Sequence, residues 1–495
     1  MKILLIQPSA GFLMRGTTYP VCRSIMTTAS YMKSIGHNVL VFDRCVDFRK
    51  AEKVFNSFNP ELVAVFMPPT ASFKDAVKVT SLSKERTVPV VWCEVVAAAF
   101  SEAIVASGNA DFVITGETES KLESLINQLC GEKNFGSIPG LTYIKDGKAV
   151  TNKNANNSPL GTMPEIDWEM IDVEKCFRRF PHCKKMLYMY TSRGCPHKCG
   201  YCYNTMFYNS QHRKRPLRYV LSEIEKLEKK HGLGGVNFSD ELLLLSDEEI
   251  DEIAAFRKSN GLNFVWGGET RADIYKDPQT LRKMYDAGCR WFMLGIETGS
   301  HETRKRIGKP MSHELIGEFV DKCTDAGITT FGSFIIGFPG ETPEQVRETV
   351  ALASSLNLDA FLFNYYIAIP KTPLYNFIKE NSNYHLNELL DTSSIAQEIQ
   401  SLSNNYSDIP DKDLKVIKSW FDWITFTRRK KESAEKGMFI KKAIDTAKHF
   451  AEGNIRNSVN NIYTAAKTFL TVIIYSFCFP KIKKKYGLKN INRKK

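Results

Sequence analysis

Three cysteines lie within eight positions of the segment TSRGCPHKCGYCYN, which covers residues 191–204. The three are Cys195, Cys199 and Cys202. Sulfurs at these spacings on one loop can be directed to a common point, and Gly194 and Gly200 give the backbone the freedom to wrap it. We therefore take the three cysteines as candidate catalytic groups and metal ligands.

Two kinds of metal chemistry suit this loop. A zinc site normally needs a fourth ligand, and His197 in the loop or His182 and Cys183 upstream could supply one. Three cysteines alone fit an iron–sulfur cube in which one iron has no protein ligand. That open iron could chelate the amino and carboxylate groups of a substrate. The spacing leaves both alternatives open.

The composition favours a reducing compartment. Twelve cysteines are scattered over 495 residues. The N-terminal MKILLIQPSAG has one lysine and then only four apolar residues, which is too short for the core of a signal peptide. We expect a buried first strand there and a cytoplasmic protein, in which clustered cysteines indicate metal or redox chemistry before disulfides.

The net charge of +12 is concentrated at the C-terminus. Residues 481–495 contain eight Lys and Arg and no acid, so the other 480 residues carry 12 − 8 = +4. A body this weakly basic argues against a nucleic-acid partner on grounds of charge.

The first third of the chain alternates between short apolar runs and helix-like segments. The predicted strands are residues 2–7, 38–43, 62–67, 89–93 and 111–116. This alternation predicts a doubly wound parallel sheet over residues 1–130, with a ligand crevice at the carboxyl ends of its strands. A connector over residues 131–184 contains a hairpin with Asp146-Gly147 as its turn.

A second alternating series begins at residue 185. Its predicted strands are residues 185–191, 235–240, 263–269, 291–297, 329–337 and 360–369. Six strand–helix units predict a partial (β/α)6 barrel over residues 185–376, with its active site at the carboxyl ends of the strands. The three cysteines follow the first of these strands. Residues 377–495 are predicted to form a helical region with a basic tail, which completes an α/β fold class.

The cysteine motif, C-x3-C-x2-C with the aromatic Tyr201 before the last cysteine, resembles the radical S-adenosylmethionine (SAM) superfamily. The resemblance implies that the three cysteines bind a 4Fe-4S cluster, beside Tyr201, and that SAM chelates its unique iron. One electron, from a donor such as flavodoxin or ferredoxin, would cleave SAM to a 5′-deoxyadenosyl radical that abstracts hydrogen. The protein would position these groups and exclude water.

The same resemblance assigns SAM contacts to the later strand ends. Asp240 or Glu241 of FSDE would bind the ammonium group of SAM, and Arg271 of ETRAD would bind its carboxylate. Glu297 of LGIETGS would contact the ribose. The glycine-rich turn IIGFPGET would let the backbone approach the nucleoside at Gly337 and Gly340.

The segments YMKSIGHNVLVFD and ADFVITGETESKLESLI resemble the N-terminal domain of the cobalamin-binding branch of the superfamily. The resemblance implies a corrinoid lying across the strand ends of the first sheet. Its contacts would come from the PSAG, PPTAS and TGETE segments, through Ser9, Gly11, Thr70 and Glu117.

The segment IPKTPLY resembles the final strand end of the superfamily, except that Lys371 stands where glycine is usual. The sequence departs from the cobalamin-binding branch at two places. No D-x-H-x-x-G segment supplies a histidine to cobalt, and Trp92-Cys93-Glu94 stands where Gly-Gly usually leaves room for the nucleotide tail. Either the tail is bound differently, or the domain has lost cobalamin and only supports the barrel.

Methyl transfer from methylcobalamin to an unactivated carbon is the reaction that the resemblance favours. Radical cyclisation or rearrangement is the enzymatic alternative, and a corrinoid- or iron–sulfur-dependent sensor is the non-enzymatic one. A methylthiotransferase would need three more cluster cysteines, and the surroundings of Cys22, Cys45 and Cys93 do not resemble that pattern. The substrate is expected to be a small molecule or a lipid-linked one.

The apolar segment FLTVIIYSFCFP, residues 469–480, is shorter than the roughly 20 residues that span a bilayer. It predicts either a final helix packed on the barrel or an interfacial anchor with the basic tail on anionic lipid. The second alternative would give peripheral contact with the inner membrane face.

Overall fold

The computed structural model describes residues 1–9, 23–68, 73–154, 159–381, 405–432 and 480–488. These described residues fall into two compact units. Of the described residues, the first unit comprises 1–9, 23–68, 73–154, 159–243, 252–266 and 368–381, and the second comprises 244–251, 267–367, 405–432 and 480–488.

Seven strands form the first sheet, which lies in the first unit. They are β1 Lys2–Gln7, β2 Asn38–Asp43, β3 Leu62–Phe66, β4 Val90–Cys93, β5 Phe112–Ile114, β6 Leu141–Lys145 and β7 Lys148–Thr151. Their order is β2-β1-β3-β4-β5-β6-β7. The first five strands pair in parallel in the order 2-1-3-4-5, so the predicted doubly wound sheet is confirmed.

The predicted hairpin is part of this sheet, because β6 pairs antiparallel with β5. Asp146 and Gly147 have φ values of 51° and 76°, as a two-residue turn between twisted strands requires. The hairpin therefore extends the first sheet on its β5 side.

Six helices connect the strands of the first sheet. They are α1 Arg23–Ser34, α2 Ala51–Phe58, α3 Phe73–Lys84, α4 Val95–Ala99, α5 Ser101–Ala106 and α6 Glu119–Cys130. Strands β3 and β4 are buried along their whole length, as expected for central parallel strands covered on both faces. Trp92 of β4 is fully buried in this core, where its indole nitrogen donates to Thr80 Oγ1 at 2.9 Å.

The second sheet also has seven strands. They are β8 Arg178–Phe180, β9 Cys183–Met189, β12 Gly235–Phe238, β13 Val265–Thr270, β14 Cys289–Glu297, β15 Thr329–Ile336 and β16 Ala360–Tyr365. The order is β8-β9-β12-β13 in the first unit and β13-β14-β15-β16 in the second, and β13 contributes residues to both. Edge strand β8 is antiparallel to β9, whereas β12 is parallel to β9, and β15 is parallel to both β14 and β16. The six strands from β9 onward confirm the predicted partial barrel.

Short elements and helices connect the strands of the second sheet. They are β10 Ser192–Arg193, α7 Asn204–Phe207, β11 Arg213–Lys214, α8 Leu217–His231, α9 Asp247–Ser259, α10 Pro278–Asp286, α11 His301–Arg306, α12 His313–Asp325, α13 Pro343–Ser355 and α14 Pro373–Glu380. Strands β10 and β11 form an antiparallel pair. Side-chain caps begin several helices, including a capping box from Thr342 and Gln345 at α13.

The described part of the C-terminal region is helical and packs within the second unit. Helix α15, Asp411–Glu432, stacks Phe421 on Phe363 of β16 with ring centroids 4.0 Å apart. Helix α16, Pro480–Lys485, docks on α15 through Lys485 and Tyr486, which both contact Asp413. Residues 469–479 of the predicted apolar segment lie outside the described residues, so the choice between a packed helix and an interfacial anchor stays a prediction.

Among the described residues, no helix combines the length and the hydropathy needed to cross a bilayer.

Candidate active site

The three predicted cluster ligands lie on one loop, residues 190–203, which we call the cluster loop. It runs from the end of β9 to the start of α7. Cys199 is buried, whereas Cys195 and Cys202 are half-buried. The amide of Cys202 donates to the carbonyl of Cys199 at 3.0 Å, which closes a turn in which Tyr201 is half-buried. All three thiols therefore come from one short stretch at the carboxyl end of a barrel strand.

Two residues fix the path of the cluster loop. Gly194 has φ 79°, and a Cβ there would collide with the carbonyl oxygen of Gln211, so only glycine fits. Asn204 is buried, and its side-chain amide binds the backbone of the loop. Its oxygen accepts from the Cys195 amide at 2.8 Å, and its nitrogen donates to the Cys195 carbonyl at 2.8 Å. The nitrogen also lies 3.2 Å from the His197 carbonyl. The loop is thus shaped by the protein itself.

The donor set of the loop fits an iron–sulfur cube. Among the described residues, no group of three or more His, Cys, Asp or Glu side chains is placed to hold a metal ion. In a cube each cysteine ligates its own iron, so the thiols need not converge on one atom. The fit to the cluster therefore depends on the identity and spacing of the three thiols.

The two acidic residues after β12 have different surroundings. Asp240 is fully buried and accepts hydrogen bonds from the Thr191 amide at 2.8 Å, the Thr191 hydroxyl and the Ser192 hydroxyl at 2.6 Å. Glu241 is half-buried and accepts from the Gly194 amide at 2.7 Å and the Tyr203 hydroxyl at 3.0 Å. Asp240 anchors the end of β9, whereas Glu241 lies against the cluster loop.

In the second unit, Arg271 follows β13 and is nearly buried. Its guanidinium makes a two-point contact with Asp273, through Nε to Oδ1 at 2.8 Å and a terminal nitrogen to Oδ2 at 2.6 Å. This contact orients the planar group, which is the geometry that carboxylate recognition by arginine uses.

Glu297 ends β14 in a bulge, with φ 66°. Its carboxylate forms an ion pair of 2.7 Å with Lys309, and both side chains are buried. Lys309 therefore holds the predicted ribose ligand in a fixed orientation.

The turn after β15 adopts the backbone that its glycines permit, with φ 85° at Gly337 and 64° at Gly340. Glu341 closes this turn by accepting from the amides of Gly337 at 2.7 Å and Phe338 at 3.2 Å. Burial raises the pKa of the Glu341 carboxyl to about 7, although both amides oppose that shift.

The strand ends of the first sheet hold the predicted corrinoid contacts. The amide of Ser9 donates to Asp75 at 2.8 Å. Glu117 follows β5, and its carboxylate contacts Arg213 at 2.5 Å and Arg193 at 3.1 Å. The other two predicted contacts, Gly11 and Thr70, lie outside the described residues.

The structure gives both non-glycine departures a backbone that favours glycine. Glu94 has φ 85° and ψ 176°, and its carboxylate accepts from the Ser24 hydroxyl. Lys371 has φ 68°, and its ammonium donates to the carbonyl of Ala98 at 2.9 Å and the hydroxyl of Ser101 at 3.0 Å. The glycine-type backbone is kept at both positions, and side-chain contacts accompany it.

Sequence reasoning did not find four side chains that hold the candidate site. They are Arg193, Tyr203, Arg213 and Lys309. Arg193 and Tyr203 lie next to the cysteines in the sequence, and this proximity is a signal that could have identified them. Lys309 lies twelve positions from Glu297 and Arg213 lies 96 positions from Glu117, and no local pattern indicates pairs at such separations.

Residues 189–353 match the radical SAM superfamily. The chain therefore contains a radical SAM domain, and the resemblance behind the cluster and SAM predictions is confirmed. This superfamily uses a 4Fe-4S cluster and SAM.

Similar proteins extend the likeness beyond this domain. An uncharacterized methyltransferase of Pyrococcus horikoshii is 26% identical over 392 residues, covering 77% of this chain and 84% of that protein. An anaerobic magnesium-protoporphyrin IX monomethyl ester cyclase of Rubrivivax gelatinosus is 25% identical over 396 residues, covering 76% and 69%.

Among solved structures, the radical SAM methyltransferase TsrM of Kitasatospora setae, with cobalamin and a [4Fe-4S] cluster bound, is similar with a TM-score of 0.64. The identity is 18%, and 81% of each chain is covered. This likeness shows the fold and confirms the predicted fold class.

Proposed function

We propose that this protein is a radical SAM enzyme that uses a corrinoid to transfer a methyl group to an unactivated carbon of a small-molecule substrate. The observation that carries the proposal is the preshaped cluster loop with three cysteines, located at the end of the first barrel strand. Similarity to a methyltransferase over 77% of the chain, together with the fold shared with the methyltransferase TsrM, supports methyl transfer over a sensor. The cyclase is similar over 76% of the chain, so the products of the test below decide between methyl transfer and cyclisation.

The cluster would be held by Cys195, Cys199 and Cys202. When bound, the cluster, SAM and the corrinoid supply the electron, the radical and the methyl group, respectively. The chain contributes their binding, their orientation and the exclusion of water.

Of the two acidic candidates for the ammonium group of SAM, we favour Glu241. Asp240 already accepts from three donors in a fully buried position, whereas Glu241 is half-buried beside the cluster loop. We assign the carboxylate of SAM to Arg271, oriented by Asp273, and the ribose to Glu297, oriented by Lys309.

We place the corrinoid at the strand ends of the first sheet, with Ser9, Gly11, Thr70 and Glu117 as its contacts. The indole of Trp92 is committed to the core beside Thr80 and Phe73 of α3. A nucleotide tail would therefore follow a path other than the space that Trp92 fills, so the first of the two sequence alternatives is the one we propose.

We further propose a cytoplasmic enzyme that receives its electron from a protein such as flavodoxin or ferredoxin. The exposed loop residue Lys198, between two cluster cysteines, would face an approaching donor.

The first test uses anaerobically purified protein with its cluster reconstituted in the presence of hydroxocobalamin. We expect about four irons and about one cobalt per chain, with formation of both 5′-deoxyadenosine and S-adenosylhomocysteine from SAM. The Cys199→Ala variant should lose the cluster absorbance and both products, because the thiolate is an iron ligand. Cys130→Ser, at an exposed cysteine outside the loop, should match the wild type.

Each alternative predicts a different result in this test. Formation of 5′-deoxyadenosine without S-adenosylhomocysteine would favour cyclisation or rearrangement. Cofactor binding without SAM turnover would favour a sensor. Zinc in place of iron, with no cluster on reconstitution, would contradict the proposal as a whole.

A further inference from the structure

Arg193 lies two residues before the first cluster cysteine, and its side chain is almost fully buried. One terminal nitrogen donates to Glu119 Oε1 at 2.8 Å and to Thr27 Oγ1 at 2.8 Å. The other lies 3.1 Å from Glu117 Oε1. A residue at the entry of the cluster loop is thus bound by side chains of the first sheet's connections.

These partners lie beside the proposed corrinoid crevice. Glu117 follows β5, Glu119 is the first residue of α6, and Thr27 is in α1. Strand β10 lies inside the cluster loop and β11 follows it in the chain, and both reach this point, because Arg213 of β11 faces Arg193 of β10 in the antiparallel register. Two like charges opposite each other repel, and Glu117 offsets the repulsion by contacting both guanidinium groups.

The buried pair of Arg193 and Glu119 is charged. Burial acts to raise the pKa of the Glu119 carboxyl, but the charge of Arg193 and hydrogen bonds from Arg193 and Thr27 outweigh it and leave the pKa below its usual range. The stability of a buried ion pair depends strongly on its geometry, because moving either partner leaves the other as a desolvated, unpaired charge. The contact therefore restricts where the loop can begin.

The chain contains a matched pair that lacks this connection. Arg215 and Glu223 are also fully buried and paired, with one nitrogen–oxygen distance of 3.0 Å. Arg193 and Arg215 both lie over the ring of Tyr190, at 5.1 Å and 5.2 Å from its centroid. Glu223, however, belongs to α8 of the barrel half and not to the first sheet.

We propose that Arg193 is a positioning residue for the cluster, which fixes the entry of the cluster loop by anchoring it to Glu119 and Thr27 beside the first sheet. The inference rests on the proposed function, since it assumes a cluster on the loop. If Arg193 has this role, the residues beside the first sheet influence the geometry of the cluster, and hence its electronic environment. The first sheet would then act on the cluster in addition to binding the corrinoid.

The test compares two double variants of the full-length, reconstituted protein. Arg193→Gln/Glu119→Gln removes the connecting pair without leaving a lone buried charge, and Arg215→Gln/Glu223→Gln removes the matched pair. We expect the first to alter the electron paramagnetic resonance spectrum of the dithionite-reduced cluster and to slow 5′-deoxyadenosine formation by about 10-fold, as is typical for side chains that orient metal ligands. The second should keep the wild-type spectrum.

A third variant guards against a simple folding defect. Arg193→Lys keeps the charge but loses the two-point geometry, so its spectrum and rate should lie between those of the wild type and the double variant. Wild-type behaviour in Arg193→Gln/Glu119→Gln, or equal changes in both double variants, would show that Arg193 has no special role. Absence of a reduced-cluster spectrum in the wild type would instead refute the proposed function.

Discussion

Glu341 shows how a single side chain can organise a glycine-rich turn. Its two amide contacts hold the turn that contains Gly337 and Gly340, while burial keeps the carboxyl difficult to ionise. The carboxyl has an ordinary pKa of 4.5 and a folded-state pKa of about 7. The turn should therefore respond to pH within the range in which enzymes are assayed.

We expect this carboxyl to reduce stability as pH rises. Between pH 4.5 and about 7 the folded chain keeps a proton that the unfolded chain has lost, so the free energy of unfolding falls across that window and is then constant. Glu341→Gln keeps an acceptor oxygen without the titration. It should gain about 1 to 3 kcal/mol over the wild type between about pH 5 and about pH 8.

Thermal unfolding of the apoprotein at several pH values measures this difference. Glu348→Gln, at an exposed position seven residues away, serves as the control and should follow the wild type. Parallel pH curves for the wild type and Glu341→Gln would contradict the prediction.

At this scale, residue types could be predicted from the sequence and their partners could not. The positive φ at Gly194, Gly337 and Gly340 follows from glycine in motif turns. The choice between Asp240 and Glu241 required the structure, because neighbouring residues in a loop can point to different surroundings. Long-range pairs such as Arg193 with Glu119, which are 74 positions apart, have no local pattern.

At the scale of elements, the C-terminal end of the loop between β16 and α14 is held by contacts within the first unit. Lys371 binds Ala98 and Ser101 beside α4 and α5, while the Leu374 amide donates to the Gly200 carbonyl of the cluster loop at 2.8 Å. The loop thus connects the helices after β4 with the cluster loop.

Two substitutions of Lys371 distinguish the effect of its ammonium contacts from the effect of its positive φ. A non-glycine residue with positive φ costs about 1 kcal/mol. Lys371→Met loses the ammonium contacts with Ala98 and Ser101 and keeps the strained positive φ. Lys371→Gly loses the contacts but also relieves the strain, so Lys371→Met should destabilise the loop more. We expect exchange of the Leu374 amide to quicken about fivefold in Lys371→Met, equivalent to about 1 kcal/mol, and to change less in Lys371→Gly.

Hydrogen exchange with peptide analysis over residues 372–376 measures both effects. Lys379→Met, an exposed change in the last turn of α14, is the matched control. Equal exchange in Lys371→Met and the wild type would show that the ammonium contacts do not hold the loop.

The strands themselves were the most predictable elements. The bounds of β1 and β2 match the predicted residues, because each is a compact apolar run between polar turns. The β6–β7 hairpin was predicted from its Asp-Gly turn, but its addition to the first sheet was not, since edge pairing depends on which strand it meets. Strand β8 was missed because it is short and half-exposed.

At the scale of the whole molecule, some late segments of the chain belong to units that consist mainly of earlier segments. Residues 368–381 belong to the first unit, although they follow strands of the second. Helix α16 likewise belongs to the second unit and covers part of α15, where Lys483 lies 3.6 Å from the ring centroid of Trp420. The order of the elements along the sequence does not predict which earlier elements such late segments pack against.

Tyr486 provides a test of this C-terminal docking. Its side chain is 1% exposed, and its hydroxyl donates to Asp413 at 3.0 Å. Tyr486→Ala should lower stability by about 3 kcal/mol through lost burial and the lost hydrogen bond, and so lower the unfolding midpoint of the second unit. Lys481→Ala, at an exposed position on the same helix, should leave the midpoint unchanged. A wild-type midpoint in Tyr486→Ala would mean that α16 does not dock on α15 in solution.

The amide of Asn204 has a consequence for which residues the cluster loop depends on. Because one side chain binds both the Cys195 backbone and the His197 carbonyl, the shape of the loop depends on a residue that is not itself one of the three cysteines. Asparagine suits this position because its side-chain amide both accepts and donates, whereas an ionised aspartate of the same shape can only accept.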